Sequence, residues 1–307
     1  MKSLTIIYMK WEKFKIMGIK ISVITPSYNR ANLLERCYQS LCQQSMREFE
    51  WIIIDDGSTD LTRGLINGYI QEGTIVIKYL YKENGGKHTA HNMGVENARG
   101  ELIVCVDSDD KLQINALQKL WEFWVMKRNP KSIGVIAKRQ AMDGTFLCSE
   151  FPDGIESIQM FDLVNKYGFS GDTVLFFRAD ILKKCLFPVF AQEKFLSESA
   201  LYYELDKYGE MLLMDEALYI GEYQEEGLTS NYHKLLQENP IGSAYTYFLS
   251  YAKAKTTKVR IKYAILTMCY WKKECKCYYS IPMWFYLLYP ASFIYKKIRI
   301  NKIVDKI

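Results

Sequence analysis

Asp107, Ser108, Asp109 and Asp110 place three carboxylates within four residues, directly after five apolar residues at 102–106. Like charges this close repel one another, and a bound divalent cation offsets that repulsion. Hard oxygen donors of this kind suit Mg²⁺ or Mn²⁺. Mg²⁺ takes only one or two carboxylates and completes its shell with water and phosphate oxygens, so the cluster points to a nucleoside diphosphate. Two further polar clusters also follow apolar runs: Thr25-Pro26-Ser27-Tyr28-Asn29 and Asp55-Asp56-Gly57-Ser58-Thr59-Asp60. A fourth segment, Glu83-Asn84-Gly85-Gly86, supplies glycines for close backbone approach and opens a helix at Lys87. A helix N-terminus attracts anions, and Lys87 and His91, at i and i+4, lie on one face. Each feature alone has a plainer reading. Asp60 caps the next helix, Asp56-Gly57 makes a tight turn, Lys87 is solvated and His91 is a satisfied surface residue. Neither G-x-G-x-x-G nor G-x-x-x-x-G-K-[ST] occurs, which excludes Rossmann-cofactor and P-loop readings.

These clusters need a frame that brings them together. Apolar runs predict strands at 19–25, 51–55, 75–81 and 102–106, alternating with helices at 31–43, 61–70 and 87–98. Leu33, Leu34, Cys37 and Leu41 fall on one face of the first helix. The strands are near-continuous Ile and Val, as a parallel sheet covered on both faces requires. Ligands of such sheets bind beyond the carboxyl ends of the strands, so three clusters at three strand ends describe one site. Farther along, 133–138 and 173–177 read as strands and 193–208 as a helix. Residues 211–215 and 217–220 read as extended, and 245–253 and 259–270 as helices.

The length, 307 residues, suffices for one large domain or one with a modest second domain. With 49% hydrophobic and 24% charged residues the chain is neither disordered nor fibrous. A net charge of +5 is too small to argue for nucleic acid. Eight cysteines lack the short secreted context of a disulfide framework. Cys275 and Cys277 lack the second pair of a zinc site. Residues 1–18 carry four lysines and no signal-peptide core, so they read as a short extension of a cytoplasmic, reduced chain.

The residues 21–29, Ile53-Ile54-Asp55-Asp56-Gly57-Ser58-Thr59-Asp60, the Asn92-x-Gly94 helix and Asp107-Ser108-Asp109 fall in one order and spacing. In these pieces the chain resembles the family 2 glycosyltransferases of the GT-A fold, over about residues 19–230. The resemblance implies an α/β, Rossmann-like, mixed and mostly parallel sheet flanked by helices. It implies inverting transfer of a sugar from a nucleotide-diphospho-sugar to an acceptor hydroxyl, with Mn²⁺ or Mg²⁺. Carried onto this chain, Thr25 and Tyr28 line the nucleoside pocket and Asp56 accepts from uracil N3–H, which favours a UDP-sugar. Asp107 and Asp109 form the Asp-x-Asp pair, with Asp109 a direct metal ligand and Asp107 contacting ribose or a metal-bound water. Lys87 and His91 face the diphosphate, His91 standing where the family carries Arg. An acceptor hydroxyl needs a general base, and Glu198 matches the family's position, although Ser199 replaces the usual Asp. Glu193 and Asp172 are the fallback carboxylates. Residues 222–229 resemble a loop near the acceptor or over the donor.

The C-terminal part, 231–307, reads as a helical, aromatic and basic region. The run 277–295 carries no formal charge, but Pro282, Pro290, Trp284 and five tyrosines suit a membrane interface better than a spanning helix. Lys296, Lys297, Arg299, Lys302 and Lys306 follow it, as anionic head groups would favour. The expected enzyme is thus peripheral to the cytoplasmic membrane face and builds a surface or capsular polysaccharide on a glycan or lipid-linked glycan. A polyprenyl-phosphate sugar transferase and a non-catalytic nucleotide-sugar-binding scaffold are the alternatives.

Overall fold

The computed structural model describes residues 6–7, 18–222 and 230–300. Among these, ten strands form one mixed sheet: β1 (Ile6–Ile7), β2 (Ile21–Ser27), β3 (Phe49–Asp55), β4 (Ile77–Tyr81), β5 (Leu102–Cys105), β6 (Lys111–Leu112), β7 (Ser132–Gln140), β8 (Ser157–Ile158), β9 (Thr173–Arg178) and β10 (Glu210–Ile220). Their order is β1-β4-β3-β2-β5-β9-β7-β10-β6, with β8 beside β10. The pairings β4/β3, β3/β2, β2/β5 and β7/β10 are parallel, while β9 runs antiparallel to both β5 and β7. The helices are α1 (Ala31–Cys42), α2 (Thr62–Glu72), α3 (Lys87–Asn97), α4 (Ala116–Lys127), α5 (Met160–Asn165), α6 (Ala179–Leu182), α7 (Ser199–Leu205), α8 (Tyr232–Glu238), α9 (Pro240–Lys253), α10 (Thr257–Tyr270) and α11 (Tyr289–Tyr295).

Every residue of β2 and β3 is buried, which is why neither strand alternates in sequence. On one face α1 and α2 bring Tyr38 and Tyr69 together, stacked at 3.8 Å and covering Trp51 of β3. On the other face α3 approaches closely through Gly94. A Cβ there would lie 2.8 Å from Ile54 Cδ1 and 3.1 Å from Ile24 Cγ2. Among the polar residues of this core is Glu50, fully buried on β3. It accepts from the Ser22 hydroxyl at 2.7 Å, the Arg99 amide at 2.8 Å and the Arg99 guanidinium at 2.7 Å. That carboxylate clamps the α3–β5 connection to the start of β2 and so fixes where β5 emerges.

The chain divides into two compact units, Met1–Leu186 with Leu205–Glu222, and Phe187–Glu204 with Tyr223–Ile307. The first holds the sheet and the second holds α8 to α11. The pattern over 193–208 predicts one helix, whereas only α7 forms. Glu193 accepts the Ile241 and Gly242 amides, both at 2.7 Å, and Asn239 Oδ1 accepts those of Lys194 and Phe195. These bonds tie 193–195 to the first turn of α9, and Gln192 turns the chain with φ 66°. The two extended pieces at 211–220 are one strand, β10, with register shifts between Met214 and Tyr219. The extension 1–18 contributes β1, paired antiparallel with β4. The loop reading of 222–229 falls, from residue 223 on, outside the described residues.

Replacing Glu50 with Ala leaves the buried Ser22 hydroxyl and the Arg99 amide without their acceptor. The expected loss is about 1–3 kcal/mol of stability, measurable as a lower urea midpoint by circular dichroism.

Candidate active site

The parallel strands β2, β3, β4 and β5 end on one edge of the sheet. Because β9 is antiparallel to β5, it begins on that edge, and β7 and β10 end there too. The turns after β2, β3, β4 and β5 therefore converge. Side chains lock them to one another. Asn29 Oδ1 accepts the Thr59 amide at 2.8 Å, and Ser58 Oγ accepts the Asn29 amide at 2.9 Å. Asp60 caps two helices at once, accepting from the Thr62 amide of α2 and the Ala31 amide of α1. Asp55 accepts the Ser58 amide and the Tyr79 hydroxyl.

Asp56 organises the glycine turn before α3. Its side chain is buried, with Oδ1 accepting from Lys82 Nζ at 2.5 Å and the Gly85 amide at 3.0 Å. Its Oδ2 accepts from the Gly86 amide at 2.8 Å and Asn84 Nδ2 at 3.1 Å. An ionised carboxylate has about four acceptor sites, so Asp56 is saturated. The turn delivers Lys87 to the acidic cluster, where its Nζ lies 2.7 Å from Asp107 Oδ1. Next to it, His88 is buried, and burial pushes its imidazole down to about 4, so it stays neutral at pH 7.

The three carboxylates of the cluster have different environments. Asp107 and Asp109 are partly exposed, while Asp110 is buried. Asp110 Oδ2 meets the Arg139 guanidinium at 3.0 Å and accepts from the Tyr219 hydroxyl at 2.9 Å. That same hydroxyl accepts the Asp107 amide at 2.9 Å, so Tyr219 joins both ends of the acidic turn. Burial pushes Asp110 up to about 7; Arg139 opposes this, and Asp107 and Asp109 reinforce it. Arg139 also faces the Tyr219 ring at 5.1 Å and Asp172 at 3.8 Å. Gly221 lets this group close, because a Cβ there would lie 2.0 Å from Arg139 Nη2 and 2.5 Å from Asp110 Oδ1. Among the described residues no three His, Cys, Asp or Glu side chains form a ready metal cage.

A sheet edge with paired acids, a lysine at a helix start and a glycine turn suits an anionic, metal-bound ligand. The model of glycosyl transferase family 2 matches residues 22–186, more than half of the chain. The chain belongs to glycosyl transferase family 2. It is 39% identical over 126 residues to the putative teichuronic acid biosynthesis glycosyltransferase TuaG of Bacillus subtilis, covering 41% of this chain and 49% of that one. The chain spans less than half the length of the curated relatives it matches. Its fold is similar to that of S. aureus TarS 1–349 in complex with UDP, with TM-score 0.56 and 20% identity over 87% of this chain and 75% of that one. It is also similar to the Pyrobaculum calidifontis mannosyltransferase PcManGT in complex with GDP-Man and Mn²⁺, with TM-score 0.54 and 14% identity over 92% of this chain and 82% of that one. The fold is thus GT-A, and the C-terminal region is helical.

Of the residues singled out in the family 2 sequence, Tyr28, Asp56, Lys87, Asp107 and Asp109 gather at one edge of the first unit. Tyr28 is 48% exposed, its ring open to solvent. Thr25 is fully buried at the end of β2, and its hydroxyl accepts the Trp51 indole N–H at 2.9 Å. His91 lies on the buried face of α3. Glu198 belongs to the second unit, where it is exposed at the start of α7 and accepts the Tyr202 hydroxyl at 3.0 Å. Of the fallbacks, Glu193 has both oxygens on the amides of α9, and burial raises its pKa against those bonds. Sequence reasoning passed over Arg139 and Tyr219. Arg139 carried a usable signal, a cation closing the apolar run of β7. Tyr219 carried none, since only the β10 register brings it to Asp107.

Tyr219→Phe removes the hydroxyl that bridges Asp107 and Asp110 and leaves two buried groups short of a partner. It is expected to cost about 1–3 kcal/mol, measured by urea unfolding.

Proposed function

We propose that this chain is an inverting glycosyltransferase that moves a sugar from a nucleotide-diphospho-sugar, most simply a UDP-sugar, to a hydroxyl of a glycan or lipid-linked glycan. The observation that carries this reading is the Lys87–Asp107 pair beside half-buried Asp109, at the edge where the glycine turn and Tyr28 converge. A cation and two carboxylates at that edge match a diphosphate and its counter-ion.

The donor set fits Mg²⁺ or Mn²⁺, because Asp110 is committed to Arg139 and Tyr219 while Asp107 and Asp109 remain accessible. Two carboxylates suffice when phosphate oxygens and water complete the shell. Asp109 would hold the ion directly, and Asp107 would hold it through water or contact the ribose. When bound, the cation neutralises charge that develops on the departing nucleotide. Lys87 adds a second positive charge to the diphosphate once the ligand draws it from Asp107, with α3 contributing its N-terminal amides. His91, one turn farther along that helix, faces the same diphosphate.

Tyr28 offers its exposed ring for stacking on the base. Thr25, held by Trp51, fixes the backbone that presents Tyr28. A uracil N3–H reaches Asp56 by displacing one of its four donors, and the flexible Lys82 side chain is the one able to leave. Glu198 takes the proton of the acceptor hydroxyl, its carboxylate being exposed and held by Tyr202. The putative teichuronic acid biosynthesis named for the Bacillus subtilis relative supports an acceptor on a surface polysaccharide.

Calorimetric titration with UDP and then GDP, each with and without Mn²⁺, tests the donor site. UDP is expected to bind more tightly than GDP and at least about tenfold more tightly with Mn²⁺, a gain that Asp109→Ala removes. Tighter binding of GDP would overturn the role of Asp56. Glu198→Gln is expected to lower kcat by about 10²–10⁴-fold while leaving the UDP affinity unchanged. Unchanged turnover would instead indicate a phosphate acceptor, which ionises without a base.

A further inference from the structure

The C-terminal segment of the second unit is anchored on one side and uncovered on the other. Phe285, fully buried, meets Tyr251 of α9 edge-on at 4.8 Å and Phe248 at 6.2 Å. Ser292 of α11 is buried, its carbonyl taking a hydrogen bond from Cys269 Sγ of α10. Cys275, fully buried, pins the short 3₁₀ turn Lys273–Cys277. These three anchors hold the segment against α9 and α10.

Its other side presents large apolar groups to solvent. Met283 is 86% exposed, Leu287 80% and Phe293 65%, and Tyr289, Ile294 and Ile298 are each more than half exposed. Tyr289 and Phe293, four residues apart on α11, share a side of that helix. A soluble surface rarely leaves so many large apolar side chains together. Charge decides between occupants. Lys272, Lys273, Lys276, Lys296 and Lys297 are exposed around this face, with Glu274 the one acidic residue in the sequence 271–300. A second copy would bring the same cations against these. An anionic lipid surface complements them, and Trp284, Tyr286 and Tyr289 suit its head-group level. No helix among the described residues is long and apolar enough to cross a membrane.

We propose that residues 283–298 seat this chain on the surface of an anionic bilayer. Met283, Leu287, Phe293 and Ile294 enter the boundary between head groups and acyl chains, and Lys296 and Lys297 rest on the head groups. The proposal names the surface on which a lipid-linked acceptor would be met, yet it does not depend on the glycosyl-transfer reading.

Flotation of the full chain with phosphatidylglycerol-containing and pure phosphatidylcholine vesicles tests it. Binding is expected to the former, to weaken as salt rises, and to fall at least about tenfold in Leu287→Glu/Phe293→Glu. Lys296→Gln/Lys297→Gln is expected to weaken binding to the anionic vesicles and to flatten its salt dependence. Thermal unfolding and Mn²⁺–UDP titration of each variant, expected to match the parent chain, show that the fold persists. A parent chain that binds vesicles but not UDP would sink the donor-site reading and leave this one standing. Absence of binding to anionic vesicles, or equal binding by Leu287→Glu/Phe293→Glu, would overturn the proposal. So would a dimer in light scattering that Leu287→Glu splits while neither form floats.

Discussion

Three carboxylates at the mouth of an apolar sheet are unstable unless something answers their charge, and in this chain Arg139 does so from within. Its guanidinium meets Asp110, and Tyr219 completes the pair while gripping the backbone of Asp107. The buried acid is thereby removed from the ligand side, and its two neighbours are turned outward. The arrangement depends on register. β10 runs parallel to β7 with Tyr219 opposite Arg139, and β6 folds back on β10 with Leu112 opposite the same tyrosine. The acidic turn lies between β5 and β6, so one tyrosine on a distant strand holds both of its ends.

The same economy governs the other turns at that edge. Asp55, Asp56 and Asp60 look alike in sequence, six residues carrying three acids, yet each has a different task. Asp55 shapes its own turn, Asp60 caps two helices, and Asp56 folds the glycine turn that aims Lys87 at Asp107. Backbone amides satisfied by carboxylates stiffen loops that otherwise would be the mobile part of the fold. A site that binds a highly charged ligand gains from such rigidity, because less ordering is needed when the ligand arrives.

The second unit follows a different rule, since its packing is aromatic rather than aliphatic. Phe248, Tyr251, Tyr279 and Phe285 meet in stacked and edge-on pairs between α9 and the segment that follows α10. Ring pairs of this sort hold short, irregular turns that lack the length to stabilise themselves as helices. Glu193, capping α9, joins the stretch before α7 to this framework.

Local order in the sequence determined most of the first half of the sheet. Strands β2, β3 and β5 are apolar because both of their faces are covered, and hydrophobic runs of that kind are legible without coordinates. The order of Asp56, Lys87, Asp107 and Asp109 along the chain, each just beyond such a run, already implied one edge and one site. What only the tertiary structure decided was the use of each side chain. His91 is buried, which no local pattern signals, because burial is set by what packs on top. The helix read over 193–208 is cut short by bonds from Asn239 and to the amides of α9, more than forty residues away. Arg139 and Tyr219 reach the acidic turn through strand register, a relation between segments far apart in the chain. Periodicity reports the environment of a residue's own element, whereas the partners of a carboxylate are chosen by the fold as a whole.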